Sequence, residues 1–157
     1  MMSVCYRRAM SKHDQIVKAA GPLLEPGETI EIAVMAEVGQ VSMKKQVATA
    51  AAVTVLTAGL FTAIAHPARR ALVLTDRRLL ILSVNTLTDR PESELVAGLP
   101  REALRARARK SPLNAAFGRS IYELTDAQGS GGVLRLTYRL PSRKLGAQLA
   151  AALSETG

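Results

Sequence analysis

The chain has 157 residues, 48% of them apolar and 22% charged, enough for one domain with a core of its own and too few for two. Aromatic residues make up only 3% and tryptophan is absent, which argues against a base-stacking surface for single-stranded nucleic acid or RNA. A formal charge of +8 and a pI near 10.3 attract polyanions, whether acidic membrane, nucleic acid or acidic protein, and serve solubility equally well.

Met1 to Lys12 carries basic residues but no apolar run follows, so no secretory signal is expected. Met1, Met2 and Met10 are each available as a start, and the residues before Ser11 are expected to be a loosely held extension. Cys5 stands alone, which excludes an intrachain disulfide and suits a reducing compartment. Ser11 with Asp14 reads as the capped start of a short helix, whose apolar face is Ile16, Val17, Ala19 and Ala20 and whose stop is Gly21-Pro22. Residues 1–22 are thus an extension with a short helix, and residues 23–157 the main domain. Leu23-Leu24-Glu25-Pro26-Gly27-Glu28 makes a turn. Thr29 to Val38 then alternates as a half-buried strand, with Ile30, Ile32, Val34, Ala36 and Val38 on one face and Glu31 and Glu37 on the other.

Val47 to Ala65 has no charged residue and is flanked by Lys44-Lys45 and Arg69-Arg70. Its length would allow a membrane span. Against a span, it is rich in Ala and Thr, and a single crossing would put the Thr29–Val38 strand and the strands after it on opposite sides of a membrane. The preferred reading is an apolar helical insert at about residues 44–66, packed on the domain or on a second copy. Shallow membrane insertion comes next and a true span last. On a helix Val53, Leu56, Leu60 and Ile64 form one stripe, with Phe61 beside it, as a membrane or subunit interface requires. Pro67 ends it.

Ala71-Leu72-Val73-Leu74 and Leu79-Leu80-Ile81-Leu82 are strand-length apolar runs around the polar break Thr75-Asp76-Arg77-Arg78. Asp76 suits a tight turn, so a hairpin is preferred over one continuous helix. Asn85 to Glu92 reads as a polar turn region, Glu94 to Leu99 as a weak strand and Pro100-Arg101-Glu102 as a corner. In Ala103 to Lys110, Arg105, Arg107 and Arg109 alternate with Leu104, Ala106 and Ala108. A strand places the three arginines on one face; a helix would spread them, and the strand is preferred for its neighbours' meander spacing. Ser111 to Asn114 reads as a loop. Arg119 to Thr125 is a strand with Tyr122 and Leu124 opposite Arg119, Ile121 and Glu123. Asp126 to Gly132 is a turn, and Val133 to Leu140 alternates with Leu134, Leu136, Tyr138 and Leu140 inward and Arg135 and Arg139 outward. A final amphipathic helix runs from Arg143 to Glu155, with Leu145, Leu149, Ala152 and Leu153 on its apolar stripe.

The Thr-Asp-Arg-Arg hairpin, the Leu-Leu-Glu-Pro-Gly-Glu entry and the terminal strand-helix pair resemble the bacterial pleckstrin-homology-like (PH-like) domain family, over roughly Leu23 to the C-terminus. The resemblance implies a mainly β (α+β) fold: a bent seven-stranded antiparallel barrel closed by a C-terminal amphipathic helix. The apolar insert between the first and second strands departs from a minimal member.

Catalytic signals are missing. His13 and His66 lie in different segments without partners at metal-ligand spacing, no glycine-rich phosphate loop opens a helix, and no nucleophile or carboxylate pair has a placed partner. No catalytic residue, metal ligand or cofactor is expected. Two basic sets remain as anion-binding candidates: Arg105, Arg107, Arg109 and Lys110 on one strand, and Arg77 and Arg78 at the hairpin. Each has a structural reading beside it, as an aggregation-resistant strand edge or as partners for the hairpin's Asp76. The expectation is a non-enzymatic binding or scaffold module, cytoplasmic and peripheral at the inner face of the membrane, partnered by anionic lipid headgroups or an acidic protein. The rival reading is a soluble homo-oligomeric interaction module joined through the 47–65 helix. Nucleic acid is disfavoured for want of a recognition motif.

Overall fold

The computed structural model describes residues 10–40, 67–109, 112–126 and 134–155. Helix α1 (Lys12–Ala20) is followed by strands β1 (Ile30–Gln40), β2 (Ala68–Thr75), β3 (Arg78–Asn85), β4 (Arg90–Pro100) and β5 (Leu104–Arg109). Then come the short helix α2 (Pro112–Ala116), β6 (Arg119–Asp126), β7 (Leu134–Arg139) and the helix α3 (Arg143–Glu155). All seven strands form one antiparallel sheet in the order β4-β3-β2-β1-β7-β6-β5. Two meanders, β1–β4 and β5–β7, thus meet where β1 pairs with β7.

The sheet is open, which corrects the expected closed barrel. β4 and β5 are consecutive in the chain yet stand at opposite edges. Pro100, which has no N–H to donate, and a 3₁₀ turn at Arg101–Ala103 separate them. Helix α3 packs mainly along β5 and β1. The expected helical insert lies outside the described residues.

Burial explains why β2 and β3 read as unbroken apolar runs rather than alternating ones. On the inner face, Val34, Ala36, Val38, Leu72, Leu74, Leu79 and Ile81 join Leu124, Leu136, Tyr138, Leu149 and Leu153 in the core under α3. The outer face of the same strands carries Ala33, Met35, Ala71, Val73, Leu80, Leu82 and Val84, and these pack under Ile16, Ala19 and Ala20 of α1. Strands covered on both sides have no reason to alternate. Ile30 belongs to the outer cluster and Ile32 to the inner one, because a register shift between them turns the chain over. The shared face expected for Ile30 and Val34 is broken there.

Local chemistry fixes the helices. Ser11 Oγ accepts from Asp14 N–H at 3.1 Å and caps α1, while Ser93 Oγ donates to Ala19 O at 2.8 Å near its other end. The final helix has the expected bounds. Pro112, Leu113 and Asn114, expected as loop, instead enter α2, with Pro112 at its first position, where its missing N–H is harmless. β4 begins at Arg90 and includes Pro91, making it longer than the weak strand expected.

Candidate functional site

The hairpin arginines come first, because the fold engages them most fully. Thr75 Oγ1 accepts from the N–H groups of Arg77 at 3.1 Å and Arg78 at 3.0 Å, closing the turn between β2 and β3. The same hydroxyl donates to Glu28 Oε1 at 2.7 Å. Arg78 grips Glu28 with two nitrogens, Nε to Oε1 at 2.9 Å and Nη2 to Oε2 at 3.1 Å, and donates to Leu23 O at 2.8 Å. Glu25 N–H adds a bond to Glu28 Oε2 at 2.8 Å. The Glu28 side chain is wholly buried. Arg78, then the Glu25 amide and Thr75, outweigh the desolvation and hold its carboxyl at about 2. Arg78 is raised in turn by Glu28.

Asp76 is not the arginines' main partner. Its backbone N–H donates to Thr29 O and its Oδ1 accepts from Thr29 N–H, both at 3.0 Å, so it ties the hairpin to the start of β1. Arg77 lies outside, 3.5 Å from Glu25 and 3.9 Å from Asp76. Arg101 ion-pairs with Glu31 and donates to Thr75 O at 3.0 Å. Four acids (Glu25, Glu28, Glu31, Asp76) thus surround three arginines, and the hairpin end has no surplus of positive charge.

The second set is placed differently. Arg105, Arg107 and Arg109 lie on β5, as a strand requires, opposite Thr125, Glu123 and Ile121 of β6. β6 and β7 pair with Arg119 opposite Arg139 and Glu123 opposite Arg135. The two-residue period puts all six arginines, 105, 107, 109, 119, 135 and 139, on the outer face of the β5–β6–β7 half. This is the side that α1 covers on the other half. The inner side carries Leu104, Leu124, Leu134, Leu136 and Tyr138, with Tyr122 edge-on to Tyr138 at 5.8 Å between ring centres.

Only two carboxylates of this face pair with the six arginines among the described residues. Glu123 binds Arg109 at 2.7 Å and lies 3.9 Å from Arg135; Glu37 lies 3.7 Å from Arg139. Arg105 donates to Leu104 O at 2.7 Å. Arg107 and Arg119 are exposed and have no ion pair among the described residues. A shallow groove runs past this face between β1 and β7, lined in part by Glu37, Arg69, Thr137, Arg139 and Ser142. Guanidinium groups in such density suit phosphate or carboxylate, which each can grip through two N–H groups.

Sequence reasoning found the β5 ladder, saw Arg135 and Arg139 point outward and set Arg119 on one strand face with Ile121 and Glu123, but did not join them. The missing fact was the register of β5, β6 and β7, which alternation within one strand cannot supply. Lys110 lies outside the described residues, as do Val53, Leu56, Leu60, Phe61 and Ile64. Among the described residues no three His, Cys, Asp or Glu side chains are grouped to hold a metal ion, and no helix is long and apolar enough to cross a membrane.

No family model matches the chain, and no curated protein matches it. Among solved structures, the chain is similar to two of Vav1, an apo structure of its activated truncation and one inhibited by an allosteric inhibitor. For each, the identity is 14%, the TM-score 0.52 and the coverage 81% of this chain. The chain spans about a quarter, 26%, of the Vav1 chains it matches. The N-terminal PH domain of Vps36 aligns at 14% identity over 85% of this chain and 81% of that one, with a TM-score of 0.46. The open seven-stranded antiparallel sheet with a C-terminal helix, together with the Vav1 likeness, shows a mainly β, PH-like fold.

Proposed function

We propose that this protein is a non-enzymatic binding module that associates with anionic membrane surfaces through the outer face of β5–β6–β7. One observation carries the reading: six arginines share that face with two carboxylates paired to them, while the inner face of the sheet and the outer face of β1–β3 bury the two apolar clusters. Basic residues near an anionic bilayer contribute about 1 kcal/mol each, so the excess of six arginines over two carboxylates localises a domain without a shaped pocket. Arg105, Arg107, Arg109, Arg119, Arg135 and Arg139 act as the headgroup contacts. Arg77 and Arg78 serve mainly to hold the hairpin, since their end of the sheet is charge-balanced.

The test is co-sedimentation of the full-length protein with neutral and with phosphatidylserine-containing vesicles over a salt series. Binding confined to the anionic vesicles and weakening with salt is expected. Replacing Arg107 and Arg119 together by Ser should lower affinity more than tenfold. Equal binding to neutral vesicles, or binding indifferent to both substitutions, would remove the arginine face from the account.

A further inference from the structure

The arginine face ends at one tip in three bare apolar side chains. Phe117 N–H donates to Leu113 O at 3.1 Å and Gly118 N–H to Ala115 O at 3.2 Å, so α2 closes into a tight turn before β6. Gly118 takes a φ of +68°, where a side chain would be strained. A Cβ there would also lie 3.4 Å from Leu140 Cδ1, which sets the end of β7 against this turn. Leu113, Phe117 and Leu140 are 69%, 74% and 70% exposed; the inward place expected for Leu140 fails because β7 ends at Arg139, one residue before it.

Large apolar side chains scattered singly over a surface mean little, but these are grouped, and the company they keep is specific. Arg119 follows Phe117 by two residues, Arg139 immediately precedes Leu140, and the two arginines are register partners. Arg109 ends the neighbouring strand. Leu113 and Phe117 project from a short turn and Leu140 stands at the rim of the shallow groove, so a soft medium suits the group better than a shaped protein surface. An acidic bilayer offers apolar depth for the three side chains and phosphates at the level of the arginines, whose aliphatic stems can span the boundary.

We propose that Leu113, Phe117 and Leu140 form a wedge that enters the interfacial region of an anionic bilayer, with Arg109, Arg119 and Arg139 on the surrounding headgroups. The proposal rests on the membrane reading above and adds which end of the molecule meets the lipid. The β3–β4 turn with Leu87 belongs to the other meander, tied to the start of β2 by the Arg69–Asp89 ion pair.

The chain contains no tryptophan, so Phe117→Trp in the full-length protein gives a single reporter. With phosphatidylserine-containing vesicles its emission should shift to the blue and be quenched by brominated acyl chains; with neutral vesicles it should stay unchanged. Leu87→Trp, at a site 94% exposed, should not respond to either vesicle. Co-sedimentation is read on the same samples. A protein that sediments with anionic vesicles while Trp at 117 stays unshifted overturns the wedge but leaves the electrostatic reading intact. Quenching at 87 in place of 117 overturns the wedge and puts the β3–β4 turn on the lipid. Failure to sediment overturns both. Phe117→Ser should weaken anionic-vesicle binding about tenfold, with an unchanged unfolding midpoint because the side chain packs on little. An unchanged affinity would also overturn the wedge.

Discussion

Arg119 and Arg139 stand directly opposite one another across the β6–β7 ladder. Like charges so placed repel, and a cross-strand pair of this kind lowers sheet stability by a few tenths of a kcal/mol or more. Arg139 is partly relieved by Glu37, whereas Arg119 has no ion pair among the described residues. Arg119→Thr should therefore raise stability by about 0.5 kcal/mol, helped by the strand preference of Thr. The same change should weaken binding to anionic vesicles about fivefold. Urea unfolding and co-sedimentation would show the two effects moving in opposite directions. If both fall together, the arginine is structural.

Glu28 and Arg78 make the opposite case, a buried pair that the fold depends on. Glu28→Gln leaves the guanidinium half-buried with its charge uncompensated. Removing one partner of such a pair lowers stability by about 3 kcal/mol. Arg78→Lys keeps the charge but loses the two-pronged grip and the bond to Leu23 O, for a loss of about 2 kcal/mol. The midpoint of urea unfolding measures both, and a loss below 0.5 kcal/mol for Glu28→Gln would show that the pair contributes little.

The same carboxylate sets an acid limit. Its native value, about 2, lies below the ordinary 4.5, so between these values the native state binds fewer protons than the unfolded one. Glu28's contribution is then complete above about pH 4.5 and is lost as pH falls toward 2. It amounts to about 3 kcal/mol. Unfolding free energy followed from pH 6 to roughly pH 2.5 should drop by that much more in the wild-type chain than in Glu28→Gln. Parallel curves would show that other groups govern the acid response.

Gly146 is held for space rather than for backbone freedom. A Cβ at this position would stand 2.5 Å from Tyr138 Cγ, against a ring that is itself buried between the sheet and α3. Gly146→Ala gains helix propensity of about 1 kcal/mol but must push the ring or the helix aside, so a net loss of about 2 kcal/mol is expected. The near-ultraviolet circular dichroism of the tyrosines should change with it. A gain in thermal stability would mean that α3 can slide without penalty.

Much of this fold was legible in the sequence because its signals are local. Thr75-Asp76-Arg77-Arg78 between two apolar runs marked the hairpin, and the stripe Leu145, Leu149 and Leu153 marked the last helix with its bounds. What escaped was relational. Glu28 lies 50 residues from Arg78, and nothing near either residue announces the other. Asp76 looked like the turn's own partner, yet Thr75 closes the turn and Asp76 reaches across to Thr29. The short α2 was missed although Pro112 sat at its start, since five residues are too few to show a period. The arginine face needed the register of three strands before six outward positions became one surface.

Helix α1 is only nine residues long, yet it roofs the whole outer side of one half-sheet. A protein shortened to begin at Leu23 would keep every strand and still lose that roof. Met35, Val73, Leu80 and Leu82 would then be laid open next to six arginines, turning one side of the molecule into a detergent-like surface. Such a fragment should clump and cling to neutral and acidic lipid alike, and the selectivity sought in it would be gone. The helix therefore does more than begin the fold: by hiding that grease, it keeps the broad apolar side of the half-sheet from competing with the arginine face.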